Sequence, residues 1–304
     1  MMPKVGYVTI LGLPNAGKST LMNTLLGQKL AITNSKPQTT RKRILGILSE
    51  ENYQVIFNDT PGILNPSYLL QEKMMEDVNY AIKDADVLII IIDVSDEKEI
   101  KRALMNDYLK EVFEYKNNPK ILVLNKVDLL QQEMVSNFLS KFEQLGKFNS
   151  VIPISASLKF NMERVLSEII EYLPEGPKLY PDDIIAEADE RFFVSEIIRE
   201  KILELYGDEI PYSCEVLIAE FKERENAKDY ISAEIVVEKE TQKPIIIGNQ
   251  GRAIKKLGER SRKSIEEFLQ KEVYLELRVK VRDKWRSNEN MLKSFGYGRG
   301  KEKE

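Results

Sequence analysis

The segment Gly12-Leu13-Pro14-Asn15-Ala16-Gly17-Lys18-Ser19-Thr20 fits the pattern G-x-x-x-x-G-K-[ST]. Its glycines let backbone N–H groups turn inward around phosphate oxygens, and a helix starting at its end adds a partial positive charge. Lys18 can reach β- and γ-phosphates as a point charge, and the Ser19 hydroxyl can ligate Mg2+. Asn15, Ala16, Gly17, Lys18, Ser19 and Thr20 are thus candidate triphosphate contacts.

Further segments complete the chemistry. In Asp59-Thr60-Pro61-Gly62, Asp59 can hold Mg2+ through a water and the Gly62 N–H can meet a γ-phosphate. Between these two motifs lies Lys36-Pro37-Gln38-Thr39-Thr40-Arg41. A threonine here can close the Mg2+ shell only when a γ-phosphate is present; Thr40 is favoured, with Thr39 the alternative. In Asn125-Lys126-Val127-Asp128, the Asp128 carboxylate can accept from guanine N1–H and its 2-amino group, a pair that adenine does not offer. Lys126 can lie across the base, Asn125 can tie this loop to the phosphate loop, and Ser155-Ala156-Ser157 can bring backbone to the guanine oxygen. In this order the segments point to GTP, GDP and Mg2+, with Lys18, Thr40 and Gly62 as candidate catalytic groups.

Each of these segments must be held at a strand end. Apolar stretches predict strands at 5–11, 44–49, 53–58, 85–93, 120–125 and 150–154. Amphipathic patterns predict helices at 18–26, 68–83, 98–115, 132–145 and 161–172. The alternation implies an α/β fold with a doubly wound, mostly parallel sheet over residues 1–173, ligand at the carboxyl ends of its strands. Three prolines and a glycine within 173–181 mark a linker, assigned to 174–189. Beyond it, 190–286 read as a smaller α+β domain of order α-β-β-α-α-β, and 287–304 as a polar tail that frays from 296 onward.

Composition narrows the chemistry. The 304 residues contain no histidine, which excludes Ser-His-Asp catalysis and His-ligated zinc, and one cysteine, which suits a reducing cytoplasm. The apolar run at 87–92 is too short to span a bilayer, and the N-terminal residues run into the phosphate loop with no room expected for a signal peptide. Net charge is −4, yet residues 239–304 hold 18 Lys and Arg against 10 Asp and Glu, leaving 27 against 39 for the rest. That asymmetry suggests a polyanionic partner for the C-terminal part.

The motifs resemble the G1–G5 set of small GTPases. The fuller strings P-N-A-G-K-S-T, K-P-Q-T-T-R and D-T-P-G-I resemble the Era family of bacterial ribosome-assembly GTPases, a likeness that runs along nearly the whole chain. It implies a P-loop GTPase domain, then a type II KH domain that binds the 3′ end of small-subunit 16S rRNA during maturation of the 30S subunit. It further implies a cytoplasmic protein, peripheral membrane association at the inner face of the cell membrane, and a monomer. The stretch Pro244-Ile245-Ile246-Ile247-Gly248-Asn249-Gln250-Gly251-Arg252 is similar to a KH G-x-x-G loop, and Trp285, Leu292, Gly296 and Tyr297 resemble the family's ending. Gly248 and Gly251 would let an RNA backbone approach, residues 245–247 and Ile254 would wall a groove for unstacked bases, and Lys255 and Lys256 would neutralise phosphates, as would Arg260, Arg262 and Lys263. The candidate RNA contacts are therefore Ile247, Gly248, Asn249, Gln250, Gly251, Arg252, Ile254, Lys255 and Lys256.

Two positions bear on rate. Ile63 stands where many small GTPases carry a water-orienting glutamine, so slow intrinsic hydrolysis is expected. Related GTPases with asparagine at the Asn15 position hold K+ beside the phosphates; asparagine also simply tolerates a tight turn. Two other functions remain open: a P-loop ATPase or kinase, which the 125–128 motif disfavours, and an RNA-binding assembly module whose nucleotide is structural.

Overall fold

The computed structural model describes residues 2–34, 36–225 and 227–298, which fall into two compact units. The first is built on β1 (Lys4–Leu11), α1 (Lys18–Leu26), β2 (Ile44–Glu50), β3 (Tyr53–Asp59), α2 (Leu69–Lys83), of which 73–83 belong to this unit, β4 (Val87–Asp93), α3 (Glu97–Met105), α4 (Asp107–Glu114), β5 (Lys120–Asn125), α5 (Gln132–Glu143), β6 (Ser150–Ile154) and α6 (Met162–Tyr172). Its sheet runs β2-β3-β1-β4-β5-β6, parallel except where β2 pairs antiparallel to β3. Strands β4 and β5 are apolar along almost their whole length because helices cover both faces, as a parallel sheet requires.

Two expectations for this unit need correction. The single helix over 98–115 is two, because Asn106 takes an extended conformation (φ −70°, ψ 120°) and its side chain accepts from Leu109 N at 2.9 Å, capping α4. The stretch expected as a linker is packed down. Val5 N donates to the Pro174 carbonyl at 2.9 Å and Ile47 N to the Ile185 carbonyl at 2.7 Å. Gln54, fully buried, accepts from Leu179 N and Tyr180 N through Oε1 and donates through Nε2 to the Tyr180 carbonyl. Tyr180 and Ile184 then cover Val5, Leu45, Ile47 and Ile56, so this unit extends to Glu187.

The second unit contains α7 (Glu190–Leu205), α8 (Ile210–Ser213), β7 (Cys214–Lys222), β8 (Asp229–Val237), α9 (Gln242–Ile247), α10 (Arg252–Leu269), β9 (Val273–Val281) and α11 (Glu289–Ser294). Strand β8 pairs antiparallel to β7 and parallel to β9. Val194, Ile198 and Ile202 of α7 meet Leu257 and Ile265 of α10 over Ile231, Ala233 and Ile235, forming one apolar core. The segment expected as a tail is part of this unit up to residue 298. Leu292 and Tyr297 are buried, and the Tyr297 hydroxyl donates to Glu215 Oε2 at 2.6 Å. Residues 299–304 lie outside the described residues.

Candidate nucleotide site and nucleic-acid interface

The carboxyl ends of β1, β3, β4, β5 and β6 converge on a cavity of about 630 Å³. Its lining includes Asn15, Gly17, Lys18, Ser19, Thr20, Thr39, Thr40, Gly62, Asn125, Lys126, Asp128 and Ala156, uniting residues from all five motifs. Ala16, Asp59 and Ser155 do not line it; they fix the residues that do. Ser155 is buried, with its hydroxyl 3.3 Å from that of Ser157, and it is Ser157 that reaches the cavity.

The phosphate loop is glycine-dependent for steric reasons. Gly17 has φ 103°, and a Cβ there would fall 2.2 Å from Asn125 Nδ2. That amide belongs where it is: Asn125 Nδ2 donates to the Ala16 carbonyl at 2.8 Å, while its Oδ1 accepts from Ala156 N at 3.0 Å. One side chain thus ties the phosphate loop, the 125–128 loop and the 155–157 loop together. Lys18 Nζ donates to the carbonyls of Gly12 and Leu13 at 3.2 and 3.0 Å. Burial lowers its pKa to about 8, with Asp59 pulling the other way.

Three oxygens from three separate motifs meet beside it. The Ser19 hydroxyl donates to Asp59 Oδ2 at 2.6 Å and lies 2.9 Å from Thr40 Oγ1, which itself donates to Asp59 Oδ2 at 3.1 Å. Thr40 is 4% exposed, so the structure brings Thr40 rather than Thr39 to this cluster. Asp59 is fully buried, its other oxygen Oδ1 has no hydrogen-bond partner among the described residues, and desolvation raises its pKa. A buried carboxylate with a spare oxygen beside two hydroxyls is a hard donor set that fits Mg2+.

Ile63 does not face the cavity. It is 1% exposed and packs in the core with Leu11, Leu13 and Met75, while its N–H donates to the Gly12 carbonyl at 3.0 Å. Asn15 has φ 66°, a left-handed conformation that asparagine tolerates, and it lines the cavity. The Lys126 ammonium pairs with Asp93 Oδ2. Sequence reasoning missed Asp93, Glu99 and Arg102 on the cavity wall. The available signal was position: α3 directly follows β4, whose carboxyl end faces the ligand side.

In the second unit the segment Gly248–Gly251 joins α9 to α10 through left-handed backbone at Gly248 (φ 72°), Gln250 (φ 52°) and Gly251 (φ 75°). A Cβ on Gly248 would strike Ala253 Cβ at 2.5 Å, whereas Gly251 opens on empty space. Arg252, Lys255 and Lys256 occupy the first turn or so of α10, where the unsatisfied N–H groups also lie. A groove of about 520 Å³ continues between α10 and β9, lined by Ile254, Lys255, Gly258, Arg262, Leu275 and Leu277 among others. The expected apolar wall at 245–247 is corrected: these residues are helical, so they diverge, with Ile246 in the core and Ile245 48% exposed. The opposite wall comes from β9, which no local motif announces.

Comparison with known proteins agrees with this geometry. A family model described as "50S ribosome-binding GTPase" matches residues 7–126, and one described as "KH domain" matches 209–286. "GTPase Era" of Clostridium botulinum is 43% identical over 97% of this chain and 99% of its own. "GTPase ERA-like, chloroplastic" of Oryza sativa subsp. japonica is 46% identical over 96% of this chain and 69% of its own. A crystal structure of Era with MgGDPNP and nucleotides 1506–1542 of 16S ribosomal RNA superposes with a TM-score of 0.89, at 38% identity over 97% of this chain and 99% of its own. Aquifex aeolicus Era, in a variant bound to GDP.AlF4−, does so with the same score, identity and coverage. At these identities, over essentially the full length of both chains, the protein belongs to the Era family of GTPases.

Proposed function

We propose that the chain is a GTP-driven switch that binds the 3′ end of 16S rRNA through its second unit and assists assembly of the 30S subunit. The convergence of Ser19, Thr40 and Asp59 within 3.1 Å carries the switch. It joins the phosphate loop, the threonine loop and the Asp59 loop at one point, so whatever occupies the nucleotide site acts on all three. Ser19 and Thr40 would hold Mg2+ directly and Asp59 through a water. Lys18 and the Gly62 N–H would hold the γ-phosphate, and Asp128 would read guanine. Bound Mg2+ supplies charge neutralisation at the phosphates; the protein supplies position. With Ile63 committed to the core, no side chain there orients the attacking water, which supports slow turnover by the isolated chain.

For RNA, the support is the Gly248–Gly251 turn at the start of a basic helix, the groove beside β9, and the RNA bound in the related crystal structure. Cytoplasmic residence and a peripheral membrane contact belong to the same proposal. No helix among the described residues is long and apolar enough to cross a membrane. The test is direct. GTP should displace a bound fluorescent guanine nucleotide where ATP does not, and an oligonucleotide of the 16S 3′ end should bind with an affinity that falls steeply with salt. Equal displacement by ATP, or an RNA footprint away from Gly248–Gly251, would overturn the reading.

A further inference from the structure

The three-stranded sheet carries a row of planar side chains that the Gly248–Gly251 turn does not use. Val273, Leu275 and Leu277 of β9 pack on the core shared with α10, and strand alternation places Tyr274 and Glu276 on the opposite face. Tyr274 stands opposite Tyr230 of β8 in register, and the two rings stack with centroids 5.9 Å apart at 15°. On the β7 side, the Arg224 guanidinium lies 5.7 Å from the Tyr230 ring centroid. The Tyr230 hydroxyl donates to Glu276, which also accepts from Arg278 Nε at 2.9 Å, so the inner ring is fixed in place. Among the described residues nothing continues the row outward: β9 is an edge strand, and Tyr274 is 59% exposed.

We propose that Tyr274 is a base-stacking platform that takes one nucleobase of a single-stranded RNA on its outer ring face. The assignment rests on the RNA reading above and deepens it. Tyr274 lines the groove between α10 and β9, whose charged lining residues are Lys228, Lys255 and Arg262 against a single acid, Glu259. Arg224, Tyr230 and Tyr274 form a row with one open end, and a nucleobase is the planar group that a polyanion carries. Cations beside an aromatic face suit phosphate and base together, whereas an apolar peptide would leave those cations unmatched. Position follows from the helix. Ile254 lies in the first turn of α10, and Arg262 lies eight residues on, about 12 Å along the axis. Leu277 sits beside Gly258 in mid-helix, where a Cβ would meet it at 3.7 Å. Tyr274, three residues earlier on β9, is nearer the short connection from α10. The Gly248–Gly251 turn thus grips sugar and phosphate at one end of the groove, and Tyr274 stacks a base toward the other. Every base has a π-face, so this contact adds affinity and fixes the lie of the strand without choosing its sequence.

The experiment titrates the full-length protein, with GTP and Mg2+ present, against an oligonucleotide of the 16S 3′ end. Each base in turn is replaced by 2-aminopurine, whose fluorescence is quenched by stacking. The parent should quench one position through Tyr274. Tyr274→Ala should lower RNA affinity by about 5- to 150-fold and abolish the quench at that position alone. Tyr274→Thr, a second ringless variant that suits a strand, should do the same, and Tyr274→Phe should restore both affinity and quench. The salt dependence of binding should keep its parent slope, because no phosphate contact is removed. A cross-strand tyrosine pair also stabilises a sheet, but a merely structural loss would weaken binding without moving the quench at one position. RNA affinity of Tyr274→Ala within about twofold of the parent overturns the proposal, as does a parent in which no quench depends on the ring. The two readings fail separately. A parent that does not bind the oligonucleotide sinks the RNA reading itself, whereas binding that Gly251→Asp abolishes and Tyr274→Ala leaves intact condemns this assignment alone.

Discussion

The side-chain amide of Asn125 lies against the backbone of Gly17, close enough that a Cβ on Gly17 would overlap it at 2.2 Å, and it donates to the Ala16 carbonyl at 2.8 Å. The 12–20 loop and the 125–128 loop are therefore mechanically joined. A change at either loop is felt at the other through a single hydrogen bond, and predictions about the site follow from how tightly such contacts are drawn.

Lys18 should make nucleotide binding pH-dependent. In the empty protein burial lowers its pKa to about 8, while bound phosphates favour the charged form and raise it. Binding then takes up a proton above pH 8. Affinity for GTP should be flat below pH 8 and weaken as pH rises through it, by at most about tenfold per pH unit. The nucleotide-free protein should show the opposite sign on this group, because the cost of burying a charged lysine is fully present below about 8 and relieved above it. Fluorescence titration from pH 6 to 9.5 measures the first trend. An affinity that rises over that span would show that Lys18 is not the contact.

Hydrolysis should be faster in KCl than in NaCl at matched ionic strength if Asn15 helps hold K+ beside the phosphates. Asn15→Gly keeps the left-handed turn (φ 66°) and should retain nucleotide affinity while losing the difference between the two salts. Equal parent rates in both salts leave Asn15 a turn residue and nothing more.

Gln54 should be a stability determinant of the first unit. Replacing it with leucine strips partners from Leu179 N, Tyr180 N and the Tyr180 carbonyl at once. The expected loss is about 1–3 kcal/mol for a buried polar group left unsatisfied, measured by urea denaturation. Limited proteolysis should also open new cuts near Leu179, which is exposed. Unchanged stability would mean that the packing of Tyr180 and Ile184 alone holds the segment.

Gly251→Asp should separate the two activities. Gly251 faces open space at φ 75°, a conformation aspartate tolerates at modest strain, so the unit should fold. A carboxylate at the start of α10 repels phosphate, and RNA affinity should fall at least tenfold while GTP turnover without RNA stays at parent values. RNA binding at parent strength would place the RNA elsewhere.

The nucleotide site was largely legible in the sequence because each motif is a short contiguous string at a strand end, and parallel sheets gather such ends on one side. Thr40 could not be separated from Thr39 by type, since only the fold shows which one meets Ser19 and Asp59. Glu99 and Arg102 were missed because a charged pair on an amphipathic helix looks like any solvated face. Asn106 hid a helix break inside a continuous amphipathic pattern; asparagine caps as readily as it sits mid-helix, and periodicity does not register the difference. The packed stretch over 174–187 looked like a linker because proline and glycine report local conformation. What pins it is a glutamine more than 120 residues earlier.

That pinning sets an order of assembly during synthesis. The loops that form the nucleotide cavity are all made once Ser157 has emerged, yet the apolar patch of Val5, Leu45, Ile47 and Ile56 stays uncovered until Tyr180 and Ile184 arrive. At cellular translation rates that interval is on the order of seconds. The nascent chain thus completes its ligand pocket before its own hydrophobic surface, and early GTP capture would hold the growing domain together while sticky strands wait for their cover.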